Sequence, residues 1–101
     1  MSDLKKENAQ ILEKYSNFQR GDSQKMLEMT EERHRLYYKY EKIAKAQGDL
    51  LGELFISSMR EDVFLQIMIY KVKVDVEGDI AKIFSRLDAL ETKIQNLERK
   101  Q

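Results

Sequence analysis

Proline, tryptophan and cysteine are absent from this chain, and glycine occurs only four times. Without cysteine there is no disulfide, no thiolate zinc site and no cysteine nucleophile. Without proline, and with so little glycine, few positions force a helix to stop. Long apolar runs are scarce as well. The longest, residues 63–70, is interrupted by Gln66 and is far shorter than the roughly 20 residues a membrane-spanning helix needs. The first residues, Met1-Ser2-Asp3-Leu4-Lys5-Lys6-Glu7, are charged and no apolar run follows them, so no secretory leader is expected. A soluble, intracellular (cytoplasmic) protein is the expectation.

Neither charge sign is in excess. The 18 Lys and Arg residues balance 18 Asp and Glu, which weighs against a generic binder of polyanions. Along the chain the balance is mildly uneven: residues 1–48 carry +2, residues 49–78 carry −3 and residues 79–101 carry +1. What the chain does have is charge in quantity, 36% against roughly 25% in an average globular protein. With 42% apolar residues, its 101 residues can still bury one small core. This composition predicts a single helical domain rather than a loop-rich enzyme.

The clearest pattern lies in residues 79–101. Ile80, Ile83, Leu87, Leu90, Ile94 and Leu97 recur at steps of three and four. That is a heptad with Ile80, Leu87 and Ile94 at a and Ile83, Leu90 and Leu97 at d. It continues backwards through Val76, Val72, Ile69 and Leu65, with one extra four-residue step that changes the supercoil without ending the helix. Phe84 follows a d position and widens the apolar stripe. A rival pattern runs through residues 70–77, where apolar and polar residues alternate as in a half-buried strand. Helix is preferred, because no second strand is evident and the helical seam runs straight through. Gly78 is the weak point of that helix.

The flanking charges have an order of their own. Arg86 and Lys93 occupy g positions, and Glu91 and Glu98 occupy e positions. In a parallel coil, g of one helix meets e of the next heptad on its neighbour, so Arg86 faces Glu91 and Lys93 faces Glu98. An antiparallel pairing of copies would oppose like charges. The chain itself is therefore the expected partner, as a parallel homo-oligomer.

The first half, residues 1–47, also reads as helix, with two readings open at Gly21: a break there, or a helix that runs through with a small change of phase. Leu4, Asn8, Ile11, Tyr15 and Phe18 step along one helix, and Met26, Met29, Arg33, Leu36, Tyr40 and Ile43 along the next. Asp22 or Ser23 suits the start of the second. Gln47-Gly48-Asp49 is the best turn, with Gly just past a helix and Asp opening the next, which runs over residues 50–101. Residues 63–72 are apolar on all sides, so either the first half folds back along them or several chains meet there. The fold expected is all-α: an elongated helical hairpin or bundle with a C-terminal parallel coiled coil.

No catalytic constellation is present. The one histidine, His34, sits between Arg33 and Arg35, which suits neither a metal nor a general base, and it reads as a solvated helix residue. No enzyme activity, cofactor or metal is expected. One segment has nucleic-acid character: Arg35, Tyr38, Lys39, Lys42 and Lys45 share a broad helix face able to meet phosphates and bases. Glu31, Glu32 and Glu41 dilute it. The leading reading is a non-enzymatic, self-associating coiled-coil structural or adaptor protein, whose partner is itself and, in the adaptor case, another protein. The alternative is a small oligomeric nucleic-acid-binding protein that uses the basic-aromatic face of the first half.

Overall fold

A computed structural model of the chain describes residues 2–18 and 21–100. Met1, Gln19, Arg20 and Gln101, which fell within the expected helical halves, lie outside the described residues. The protein is all-α. Three helices follow one another: α1 (Ser2–Lys14), α2 (Ser23–Ala46) and α3 (Leu50–Arg99). No strand occurs among the described residues, so the alternation over residues 70–77 resolves to helix, and Gly78 is carried inside α3.

Local chemistry sets the boundaries. After α1 the chain makes tight turns, with Ser16 N–H donating to the Glu13 carbonyl at 3.1 Å and Phe18 N–H to the Tyr15 carbonyl at 3.2 Å. Asp22 then caps α2, its side chain accepting from the Lys25 N–H at 3.1 Å. The end of α2 is a Schellman motif. Gly48 N–H donates to the Lys45 carbonyl at 3.1 Å and Asp49 N–H to the Ala44 carbonyl at 2.9 Å. Gly48 adopts φ 72°, the left-handed conformation that glycine reaches without a Cβ penalty. Asp49 at once caps α3 by accepting from the Gly52 N–H at 3.0 Å. The expected turn at Gln47-Gly48-Asp49 is therefore a C-cap and an N-cap sharing three residues.

The chain divides into two compact units, residues 1–71 and residues 72–101. In the first, α1, α2 and residues 50–71 of α3 enclose a small core of Leu4, Tyr15, Met26, Leu27, Leu36, Tyr37, Ala44, Ile56, Val63 and Ile67. Burying each large aliphatic side chain contributes about 1.5–3 kcal/mol. Thr30 is fully buried, and its hydroxyl donates to the Met26 carbonyl at 2.6 Å within the same helix. α1 runs antiparallel to α2: Lys14 pairs with Glu32 at 2.7 Å and Glu7 with Lys39 at 3.4 Å. Between them Arg33 Nε donates to Asn8 Oδ1 at 3.1 Å, and the Tyr37 hydroxyl lies 3.4 Å from the same oxygen. Residues 50–71 return along α2 through an Arg60–Glu41 ion pair and the tilted contact of His34 with Phe64.

Residues 63–72 are covered on one side alone. Val63 and Ile67 are buried, whereas Phe64, Leu65, Met68, Ile69 and Val72 are exposed. The first half does fold back along this stretch, but two short helices suffice to cover only one of its faces. The second unit carries the remainder of α3, and none of its described residues is buried.

Candidate association surface

On a helix of 3.6 residues per turn, steps of three and four place residues on one stripe. Ten apolar residues line such a stripe on α3. Leu65 and Ile69 belong to the first unit; Val72, Val76, Ile80, Ile83, Leu87, Leu90, Ile94 and Leu97 belong to the second. Every one is between 45 and 64% exposed. Phe84, beside the stripe, is exposed too. Scattered exposed leucines are ordinary on a protein surface, but the run from Val72 to Leu97, within the second unit alone, is not scattered.

The four flanking charges, Arg86, Glu91, Lys93 and Glu98, are all exposed, and none forms an ion pair within the described residues. The reason is spacing. On one helix, charges couple at separations of three and four. None of these four has an opposite charge at such a separation: Arg86 and Glu91 are five apart, as are Lys93 and Glu98.

The basic-aromatic face is assembled on the outer side of α2, but several of its members are engaged. Lys39 pairs with Glu7 and lies 5.3 Å from the Tyr40 ring centroid. Lys42 covers one face of the half-exposed Tyr38 ring at 4.4 Å, and the Arg60 guanidinium stands 6.0 Å from the same ring. Arg35 and Lys45 are exposed. A base stacking on Tyr38 would have to displace a cation from its ring.

His34 differs from the solvated residue expected of it. It is half-buried against Phe64, and its Nε2 is enclosed without a hydrogen-bond partner. Burial, followed by the Arg60 and Arg35 charges, holds its pKa below the usual imidazole value. A ring that packs on Phe64 and whose charged form is disfavoured, although Glu41, Glu61 and Glu31 stand nearby, fits a packing role. Among the described residues no group of three or more His, Asp or Glu side chains is placed to hold a metal, and no helix is long and apolar enough to cross a membrane.

No family model, curated protein or solved structure matches this chain. The chemistry of its own surface is thus the whole basis for a functional reading.

Sequence reasoning missed the polar network of Asn8, Arg33 and Tyr37 and the Arg60–Glu41 pair. A signal for the first was present: Asn8 and Arg33 each interrupt an otherwise apolar run, and polar residues at core steps are expected to satisfy one another. The second had none, because Arg60 and Glu41 each look like surface residues until α2 and α3 are laid side by side.

Proposed function

We propose that this protein is a non-enzymatic structural or adaptor component that assembles with copies of itself through a parallel coiled coil of α3. One observation carries the reading: every apolar residue of the stripe from Leu65 to Leu97 is exposed. Burial of such a stripe against a neighbour's is worth about 25 cal/mol per Å² of apolar surface, far more than the flanking charges contribute. The charges supply orientation. Arg86 and Glu91, and Lys93 and Glu98, form no ion pair among the described residues and are complementary between parallel copies in register. Phe84 broadens the stripe on the e side, which suits more than two helices.

The basic-aromatic face remains the weaker alternative, since Lys39 and Tyr38 are already occupied by intramolecular contacts.

Light scattering of the purified chain tests the assembly. At micromolar concentration the full chain is expected to have the mass of an oligomer, and Leu87→Asp with Leu90→Asp is expected to reduce it to a monomer. Both residues are exposed in the single chain, so the helices of residues 1–71 should survive the change. A monomeric parent, or a double variant of unchanged mass, would sink the proposal.

A further inference from the structure

The part of α3 within the first unit has two sides. Ile56, Val63 and Ile67 turn into the core. Roughly 140° around the helix runs a second line, Leu51, Phe55, Ser58, Asp62, Leu65 and Ile69, at alternating steps of four and three. All six are exposed. Leu65 and Ile69 belong to the stripe proposed for self-association, and the rhythm places the other four on its continuation. In heptad terms Phe55, Asp62 and Ile69 hold a positions, and Leu51, Ser58 and Leu65 hold d positions. A carboxylate is ordinary on a solvated helix face, but at an a position it stands where copies would meet.

No cation is at hand to neutralise it. Asp62 forms no ion pair among the described residues. At separations of three and four along its own helix stand Ser58, Met59, Leu65 and Gln66, none of them charged. A parallel neighbour would flank it with Met59 and Gln66 at e and Glu61 at g, whereas in the tail Arg86 and Lys93 occupy g. The charged groups that α1 and α2 bring to this segment lie elsewhere. Lys5 lines a cleft with Phe55 and Met59, Glu41 holds Arg60, and Glu31, His34 and Arg35 surround Phe64.

We infer that Asp62 regulates the assembly: copies that meet along this line bring their Asp62 carboxylates together, and association tightens when those carboxylates take up protons. The inference rests on the self-assembly proposed above, with a second copy as the occupant of the line. Carboxylates brought together without a cation disfavour one another's ionisation. Protonating one removes the repulsion and supplies an O–H that donates to the other. Association is then linked to proton uptake and strengthens as pH falls. The tail charges predict the opposite sign, since protonating Glu91 and Glu98 would remove their attraction to Arg86 and Lys93. The response to acid therefore separates the two parts of the stripe.

The test measures the dissociation constant of the full chain by sedimentation at about pH 7 and about pH 5. The parent is expected to associate about tenfold more tightly at the lower pH. Asp62→Asn should reach the tighter value already at the higher pH and lose the dependence. Glu61→Gln, a change at the neighbouring g position, should keep it. Asp62→Cys, in a chain without cysteine, should form an interchain disulfide under mild oxidation, and Lys45→Cys should not. Residue 62 is exposed in the single chain, so circular dichroism of its variants should match the parent. An oligomeric parent with equal affinity at both pH values overturns the inference alone. So does an affinity that Asp62→Asn leaves unaltered, or an Asp62→Cys chain that fails to cross-link. A parent that is monomeric at both pH values overturns the self-assembly, and the inference with it.

Discussion

Glu7 and Tyr40 link the α1–α2 contact to pH. The Tyr40 hydroxyl, and after it the Lys39 ammonium, hold the Glu7 carboxyl below the usual carboxylate range. The same carboxylate, with some burial, pushes the Tyr40 hydroxyl up to about 12. The two shifts act at opposite ends of the pH scale. A depressed carboxylate stabilises the fold above its unfolded pKa, and that contribution is lost as pH falls through the lowered value. A raised phenol stabilises the fold below its unfolded pKa of 10.0, and that contribution is lost as pH climbs towards about 12. In a spectrophotometric titration of tyrosinate, Tyr40 should ionise late, and Glu7→Gln should return it towards the ordinary value. Glu7→Gln should also flatten the acid limb of the thermal midpoint against pH. An unchanged tyrosinate titration in Glu7→Gln would show that the two side chains are not coupled.

At the scale of the helix, two glycines of α3 have opposite meanings. A Cβ on Gly78 meets nothing within 4 Å, so Gly78→Ala is expected to stabilise the tail helix by about 1 kcal/mol through backbone entropy alone. A Cβ on Gly52 would run into the Asp49 carboxylate, the group that caps the helix through the Gly52 N–H. Gly52→Ala should therefore forfeit most of the same gain, because the cap must move aside. Thermal melts of the two variants, followed at 222 nm, decide between them. The difference also marks what was legible in the sequence. Gly48 and Asp49 announce their turn because Gly past a helix end and Asp before the next act locally. The tail seam is legible for the same reason, since its period is carried by neighbours on one helix. The core of residues 1–71 was less so. Thr30 and Ala44 are buried where the apolar steps pointed to Met29 and Ile43, because α2 is covered by two helices whose positions around it no single periodicity encodes. His34 escaped for a related reason: the ring that covers it, Phe64, lies on a different helix.

For the whole molecule, orientation of the assembly is the sharpest consequence of the charge order. Changing Glu91 and Glu98 to Lys should weaken a parallel homo-oligomer modestly, by about 1 kcal/mol or less for each exposed pair. Adding Arg86→Glu and Lys93→Glu should restore it. Both effects should fade as salt rises, since exposed charges are screened over about 10 Å at 0.1 M. Sedimentation of the three proteins at low and high salt gives the comparison, and the absence of rescue would mean that the tails do not pair in parallel. The uncovered tail has one more consequence. No described residue of 72–100 is buried, so within that unit the helix rests mainly on its own propensity. Under the proposed assembly, the stability of that helix would follow mass action, lower when the protein is dilute and higher when it is abundant. A chain that assembles as proposed would register its own abundance, and any ligand of the assembled form would be recruited only above a threshold of expression.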